Sequence, residues 1–252
     1  MLNNCGLSRY FNRMSDNTDN IDDFFAGKIK LLQTAYKTTS DAVFLGASVV
    51  CPRGGKILDV GTGNGAVAVI AAYHNPSASV TGIDINADEI SNAAANAELN
   101  SLPVRFLNCD IKKNPLAKEA FDIVVSNPPF FKRGTPSLND TKKLAHHENN
   151  ISLVDWVGFC VRRTCRRGYV YLLTDNARVP EIIAVLAEKC GGVTLFPLYS
   201  KQGSEPRRFI IRARKESREP FVLAKGLILH DAAGAFTSEA NAVLRDGGFL
   251  SL

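Results

Sequence analysis

The segment VVSNPPFF, residues 124–131, places an amide and two prolines directly after two valines and a serine. The side-chain oxygen of Asn127 and the main-chain oxygen of Pro128 can each accept one hydrogen of a planar NH₂ group. Because proline restricts the backbone, the directions of these acceptors are limited. Two such hydrogen bonds favour a pyramidal nitrogen whose lone pair can attack an electrophilic carbon. We therefore predict an amine-binding site at Asn127, Pro128, Pro129 and Phe130, with the Phe130 ring available to stack on a base.

A glycine cluster, DVGTGNGA at residues 59–66, lies between a strand-like and a helix-like apolar run. Glycines let the backbone turn tightly and let a ligand approach without interference from Cβ atoms. The spacing also fits the GxGxxG/A dinucleotide fingerprint, so the cluster alone does not select the cofactor. Asp59 precedes the first glycine, where its carboxylate favours an ammonium and repels a pyrophosphate. S-adenosylmethionine carries an ammonium and NAD does not, so we predict that S-adenosylmethionine is bound by Asp59, Gly61, Gly63 and Gly65.

Two aspartates end the next two strand-like runs. Asp84 follows the glycines by about 20 residues, where an acid can accept ribose hydroxyls. Asp110 would accept a hydrogen bond from the exocyclic amine of adenine. Either could instead be a turn residue, although Asn86 is the better helix N-cap and leaves Asp84 for the ribose. In isolation Asn-Pro-Pro would suit an extended loop, but its place after these motifs favours the amine-binding role.

These residues require a sheet of parallel strands to bring them together. Apolar runs of strand length alternate with helix-length segments, which is typical of βαβ units. Ligands bind outside the carboxyl ends of the strands in such sheets, where the clusters described above would converge. We predict helices at 66–74, after Asn86 and at 178–190, and strands at 56–60, 78–85, 104–110, 121–126, 169–174, 193–198 and 208–214.

Length and composition limit the domain organisation and the location. The 252 residues suit one α/β domain, and we predict a mobile polar lead-in over residues 1–26 and a single domain over residues 27–252. The six cysteines form no CxxC motif and there are only four histidines, which indicates neither a metal site nor a disulfide framework. No apolar run approaches the roughly 20 residues of a bilayer span, and the N-terminus lacks a signal-peptide core. We expect a cytoplasmic protein without a membrane or metal partner.

Positive charge is concentrated in one part of the chain, although the formal net charge is only +5. Residues 161–218 hold thirteen Lys and Arg against five Asp and Glu. This surplus suggests a docking face for a polyanion, although an ordinary solvated surface would account for it equally well. The candidates for phosphate contacts are Lys132, Arg133, Arg162, Arg163, Arg166, Arg167, Arg208, Arg212 and Arg214.

In chain order, DVGTGNG, GIDI, NCD and NPPF resemble class I S-adenosylmethionine-dependent methyltransferases of the amino-modifying NPP[YF] kind. Within that group, residues 33–47 and 226–247 resemble the bacterial tRNA(Val) adenine-N6 methyltransferase family, and the likeness runs from residue 28 to the end. It implies an α/β, Rossmann-like class I methyltransferase fold. The expected sheet is seven-stranded and mostly parallel, with an antiparallel C-terminal strand.

The resemblance also implies roles for residues and a substrate. Thr39 and Asp41 would lie near the methionine part of the cofactor, and Ile85 of GIDI would join the cofactor-binding residues. The expected reaction is adenine-N6 methylation of tRNA near the anticodon, with RNA as the partner. Residues 35–37, Ala-Tyr-Lys, replace the family's Gly-Tyr-Arg, and residues 165–173 replace its usual proline-glycine-glycine approach to a strand. These departures leave the exact RNA target open.

Other functions fit parts of the same pattern. The amine could be guanine N2 in ribosomal RNA or a glutamine amide in a release factor, because each is a planar NH₂ group. A noncatalytic RNA-binding scaffold would bind RNA without the cofactor, but the intact Asp59, glycines, Asp84 and NPPF argue against it. A dehydrogenase would leave NPPFF without a role.

Overall fold

The computed structural model describes residues 20–33, 38–129 and 151–252. Three predicted site residues, Phe130, Lys132 and Arg133, lie outside these ranges. The strands are β1 Ile21–Phe24, β2 Ile29–Leu32, β3 Lys56–Val60, β4 Ser79–Asp84, β5 Val104–Asn108, β6 Phe121–Ser126, β7 Thr164–Asp175, β8 Cys190–Lys201, β9 Arg208–Lys215, β10 Val222–Leu223 and β11 Leu227–His230. The helices are α1 Ser40–Ser48, α2 Ala66–His74, α3 Ala87–Leu99, α4 Leu153–Arg163, α5 Val179–Ala187 and α6 Ser238–Leu244.

The main sheet has the strand order β10-β8-β9-β7-β6-β3-β4-β5, and β11 also pairs with β8. Neighbours from β7 through β6, β3 and β4 to β5 pair in parallel. Strand β9 runs antiparallel between β7 and β8. The predicted seven-stranded, mostly parallel sheet is therefore confirmed, with β9 as its antiparallel strand and with the short β10 and β11 added beside β8.

The central strands and their helices form where the sequence is continuously apolar. Strands β3 and β6 are buried along almost their whole length, as expected for parallel strands covered on both faces. Strands β3 and β6 and helix α2 have the predicted bounds, while β7 and β8 are longer than predicted. Glycine at position 46 lets α1 approach α2, because a Cβ there would lie 2.8 Å from Cγ2 of Ile70. No prediction covered α1, α4 or α6.

The N-terminal boundary differs from the prediction. Strands β1 and β2 form an antiparallel hairpin, and Phe25 in its turn is fully buried, with its ring centroid 5.5 Å from that of Tyr73. Residues 20–26 therefore belong to the folded chain, and the predicted lead-in to residue 26 extends too far. The exposed Asp22 and Asp23 between apolar residues made this strand read as a polar segment. That residues 27–252 form one domain stays a prediction.

Asn96 of α3 and Asn100, which directly follows this helix, form hydrogen bonds with the edge of the hairpin where a further strand could pair. Asn96 Oδ1 accepts a hydrogen bond from the Leu32 N–H at 2.7 Å, and Asn100 Oδ1 accepts one from the Lys30 N–H at 2.8 Å. Asn96 Nδ2 also donates to the main-chain oxygen of Asn64 at 2.9 Å. Residues four apart share one face of a helix, so the pair follows the edge of β2. The fully buried Asn96 thus joins the hairpin to the glycine cluster.

We predict that Asn96→Ala lowers the free energy of unfolding by about 2–4 kcal/mol, because it leaves buried main-chain groups without partners. Urea unfolding monitored by circular dichroism measures this loss. Glu98→Ala, on the exposed side of the same helix, serves as the control and should change stability little. Equal stabilities of the two variants would contradict a structural role for the Asn96 amide.

Within the described part of the chain, no helix is both long enough and apolar enough to cross a bilayer.

Candidate active site

The glycine cluster forms the loop between β3 and α2, and its backbone needs glycine. Gly63 and Gly65 have φ angles of 53° and 83°, in the left-handed region that other residues rarely adopt. A Cβ on Gly65 would lie 2.8 Å from Cβ of Ala93, so glycine there lets α3 pack against the loop. A Cβ on Gly63 would meet no atom of the described residues within 4 Å. Among these residues, the backbone at Gly63 therefore faces open space in which a ligand can lie against it.

Asp84 lies beside this loop at the carboxyl end of β4. One carboxylate oxygen accepts the Gly63 N–H at 3.0 Å and the other accepts the Asn86 N–H at 2.9 Å. The Gly61 and Thr62 N–H groups both donate to the Ile83 oxygen, at 2.9 and 3.0 Å. Each oxygen of Asp84 retains capacity to accept another hydrogen bond. The structure thus joins Asp84 to the glycines, with acceptors left for ligand hydroxyls.

Asp59 lies beneath the loop and is only 1% exposed. Its Oδ2 accepts a hydrogen bond from the Thr62 hydroxyl at 2.7 Å. The pKa of Asp59 is raised to about 7, chiefly by burial; the Thr62 hydrogen bond opposes this rise and the nearby charge of Asp84 adds to it. A cation bound near the loop would favour the charged carboxylate and lower this pKa.

Asp110 and Ile85 are at the ends of the neighbouring strands. Asp110 Oδ1 accepts a hydrogen bond from the Lys112 N–H at 2.9 Å and caps a short 3₁₀ turn. Asp110 is therefore a turn residue, which was one of the two roles that the sequence allowed, and it lies just after β5. The Cys109 N–H donates to the main-chain oxygen of Asp84 at 2.9 Å, which joins the ends of β4 and β5. Ile85 is 44% exposed at this junction. Its apolar side chain offers a surface for a planar ring.

The start of α1 lies against the glycine loop from another direction. Asn64 Nδ2 in the loop donates to the Thr38 hydroxyl at 3.1 Å. Thr39 is the N-cap of α1, and its side chain makes no capping hydrogen bond. Asp41 in the first turn forms an ion pair with Arg208 at 3.4 Å; burial raises the pKa of Asp41, and Arg208 opposes this rise. The Asn64 hydrogen bond thus holds the segment just before α1 against the loop, and a place for Thr39 and Asp41 near the methionine part of the cofactor stays a prediction.

Asn127 follows β6, directly beyond the point where Ser126 pairs with Val60 of β3. Its Oδ1 is buried and has no hydrogen-bond partner among the described residues. An unpaired buried acceptor costs about 1–3 kcal/mol, so native proteins rarely keep one without a reason. Pro128 and Pro129, the next two residues, line a small cavity. Asn127 therefore offers a free acceptor at the sheet edge that holds the glycine loop.

Residues 52–185 match the sequence profile of the family described as "Methyltransferase domain". The chain belongs to this methyltransferase family. It is 29% identical over 220 residues to the tRNA1(Val) (adenine(37)-N6)-methyltransferase of Porphyromonas gingivalis, covering 81% of this chain and 86% of that protein. It is 40% identical over 98 residues to the release factor glutamine methyltransferase of Flavobacterium psychrophilum, covering 39% of this chain and 34% of that protein.

A solved structure with the same fold comes from Agrobacterium tumefaciens and is described as a predicted O-methyltransferase. It superposes with a TM-score of 0.69 at 23% identity, covering 84% of this chain and 98% of that one. This likeness confirms the Rossmann-like class I methyltransferase fold.

The cofactor of this methyltransferase is S-adenosylmethionine. The residues at the sheet edge suit the groups of this cofactor. Among the described residues, Gly63 borders open space, and the Asp84 carboxylate can accept further hydrogen bonds. A nearby cation would stabilise the charged form of the buried Asp59. Among the residues that the structure describes, no cluster of three or more His, Cys, Asp or Glu side chains could hold a metal ion.

Most of the arginines predicted to contact phosphates lie away from this edge of the methyltransferase. Arg166 and Arg167 precede Tyr169 at the opposite end of β7 and pair with Glu216 and Glu219 at 3.2 and 3.7 Å. A cavity of about 460 Å³ at that end is lined in part by Arg166, Arg167 and Arg214. The fold therefore separates this basic group from Asn127 by the length of the sheet.

The remaining described arginines of this set, together with Arg214, are engaged within the protein or lie on α4. Arg163 is 7% exposed and donates to the main-chain oxygens of Leu116 and Glu119, so its predicted phosphate contact is wrong. Arg162 occupies the last turn of the same helix. Arg212 and Arg214 share a face of β9, and both lie over Tyr169, at 5.7 and 5.3 Å from its ring centroid. Arg208, the member of that strand at the active-site edge, is the one paired with Asp41.

Sequence reasoning missed Asn64, Ser126 and Trp156. Asn64 is a polar residue inside the glycine loop, and its side chain holds the segment before α1. Ser126 precedes Asn127 and is completely buried. Trp156 is the single tryptophan of the chain, and its indole N–H donates to the Ser126 hydroxyl at 3.0 Å. The only signal of this contact in the sequence was that the tryptophan is unique. The spacing of residues along the chain does not indicate that α4 packs against the ends of β3 and β6.

We predict that Asp59→Asn stabilises the cofactor-free methyltransferase at pH 8 but not at pH 4. The pKa of Asp59 is raised from 3.8 to about 7, so stability present below pH 4 is lost as the pH rises through 7. The variant avoids this loss, and its gain at pH 8 should be on the order of 4 kcal/mol.

Urea unfolding at pH 4 and pH 8 measures the difference. Asp88→Asn, on the exposed first turn of α3, controls for the removal of one carboxylate. If Asp59→Asn and the parent lose stability equally between the two pH values, the raised pKa is wrong.

Proposed function

We propose that this methyltransferase methylates N6 of an adenine in tRNA near the anticodon. The observation that carries the proposal is the buried Oδ1 of Asn127, which has no hydrogen-bond partner among the described residues and lies at the edge that holds the glycine loop. The similarity to the Porphyromonas tRNA methyltransferase over 81% of this chain supports tRNA as the substrate class. RNA is accordingly the proposed partner.

We propose that the cofactor lies across the ends of β3, β4 and β5. Asp84 would accept the ribose hydroxyls, Asp110 the adenine amine, and Ile85 would contact the adenine ring. Asp59 would interact with the ammonium, while Gly61, Gly63 and Gly65 would let the ligand approach the backbone. Thr39 and Asp41 would border the methionine end, because Asn64 holds that segment against the loop.

Asn127 Oδ1 and the Pro128 oxygen would each accept one hydrogen of the target amine. This directs the nitrogen lone pair out of the plane of the base, and the rigid prolines limit where the acceptors point. The cofactor supplies a methyl group on a positively charged sulfur. Phe130 is proposed as a stacking surface for the base. An unpaired loop adenine is easier to turn into such a site than a base within a duplex.

Two related acceptors compete with adenine. Glutamine has the same NH₂ geometry, and the local 40% identity to a release factor glutamine methyltransferase favours it as the second candidate. Guanine N2 also fits the same pair of acceptors. The extent of the similarity favours adenine over glutamine, because the tRNA methyltransferase relative matches 81% of this chain and the release-factor relative only 39%.

We predict that the protein transfers tritium from labelled S-adenosylmethionine to total tRNA, and that nucleoside analysis identifies the product as N6-methyladenosine. Ribosomal RNA and a purified release factor are tested in parallel. Label in N2-methylguanosine or in the release factor, without label in tRNA, would contradict the proposed substrate. RNA binding without cofactor binding would instead support a noncatalytic scaffold.

We predict that Asn127→Ala lowers kcat by about 10²–10³, the usual effect of removing one preorganised polar contact to the reacting group. The dissociation constant of the cofactor, measured by calorimetry, should change little. Asn176→Ala is a matched control, because Asn176 is exposed just after the neighbouring strand β7. A kcat for Asn127→Ala equal to that of the control would overturn the role of Asn127.

A further inference from the structure

Trp156 on α4 contacts the two strand ends that carry the active-site loops. Its indole N–H donates to the Ser126 hydroxyl at 3.0 Å, and that hydroxyl donates to the Val60 oxygen at 2.6 Å. Val60 ends β3 and Ser126 ends β6, and the two residues are partners in the parallel ladder. The buried hydroxyl is therefore the central member of a chain from α4 to β3.

The indole ring also lies against the first glycine of the cofactor loop. A Cβ on Gly61 would be 2.7 Å from Cζ2 and 3.0 Å from Cη2 of Trp156, closer than such atoms approach in proteins. Gly61 also has a φ angle of 71°. The close approach of the ring is thus a second reason why this position holds glycine.

Trp156 thus contacts the start of the glycine loop and the residue just before the Asn127 loop. Gly61 begins the loop proposed to hold the cofactor, and Ser126 immediately precedes Asn127. Buried neighbours of Trp156 on the same helix, Val157 and Phe159, are apolar and contribute packing alone. Any ring of similar size could fill this space, whereas the indole N–H also fixes the orientation of the Ser126 hydroxyl through a hydrogen bond. A displacement near 1 Å at a reacting group can cost about a hundredfold in rate.

We propose that Trp156 and Ser126 are positioning residues that hold the amine-binding loop in alignment with the cofactor loop. This inference rests on the proposed role of Asn127 and extends it. The indole N–H of Trp156 fixes the position of the Ser126 hydroxyl, and Ser126 in turn fixes where the Asn127 loop begins. The ring of Trp156 also packs against Gly61 and so limits the movement of the glycine loop. Neither residue needs to touch the substrate.

The test compares Trp156→Phe, Ser126→Ala and the double variant. Trp156→Phe keeps a ring and removes the N–H donor, and Ser126→Ala removes the hydroxyl. We expect each single variant to lower kcat at saturating cofactor about tenfold, with the cofactor dissociation constant within about twofold of the parent. The double variant should be little slower than either single variant, because both changes break the same chain of hydrogen bonds.

Val154→Ala, at an exposed position of the same helix, is the control and should keep the parental kcat. Rates are normalised to folded protein measured by urea unfolding, so that a loss of stability alone does not lower kcat. If Ser126→Ala does not fold, Ser126→Cys replaces it, because a thiol has similar volume and donates only weakly. A Trp156→Phe rate within twofold of the control, or single effects that multiply in the double variant, would overturn the proposal.

Failure of the proposed function gives a different result. It appears in the parent, as methyl transfer to an acceptor other than adenine. The same variants are then assayed with that acceptor, since the alignment concerns any planar NH₂ group. A loss of kcat there supports the positioning role although the substrate assignment has failed, and an unchanged kcat overturns the positioning role as well.

Discussion

Parallel pairing of β3 with both β4 and β6 is the constraint on which the active site depends. Val60 pairs with Ile83 on one side and with Ser126 on the other. The residues that follow these three partners are Gly61, Asp84 and Asn127, so the ladder alone brings a flexible turn, a carboxylate and an amide to one edge. Hydrogen bonds from Gly63 to Asp84, and from Ser126 to Val60, then limit how far the edge can rearrange.

Some polar groups of the site have hydrogen-bond partners within the protein, and others have none among the described residues. Asp84 has both oxygens bonded to main-chain N–H groups, whereas Asn127 Oδ1 is buried without a partner among the described residues. Asp59 is bonded to Thr62, yet its pKa is raised to about 7 by burial. Both Asp59 and Asn127 therefore cost stability in the cofactor-free protein. In the proposed complex, the ammonium of the cofactor and the amine of the substrate would offset these costs, so that stability is exchanged for binding.

The basic surface requires a different explanation from the one its sequence suggests. Arg166, Arg167 and Arg214 lie near the opposite end of the sheet and are paired with Glu216 or Glu219. Arg208 lies at the active-site edge, but it balances the partly buried Asp41. The basic residues of the segment are thus spread from one end of β7 and β9 to the other, and four of these arginines pair with a nearby carboxylate.

By itself, the sequence determined the central α/β units and the residues at their carboxyl ends. Continuous apolar runs and the glycine cluster are local signals, and they gave β3, α2 and β6 their observed bounds. Local signals did not identify the hairpin at Ile21–Leu32, where polar residues alternate with buried ones, or the burial of Arg163. Only the tertiary structure decided that Trp156 contacts Gly61 and Ser126. That contact joins residues 30 and more positions apart through the packing of α4 on the sheet, and no periodicity of a single segment encodes such a distance.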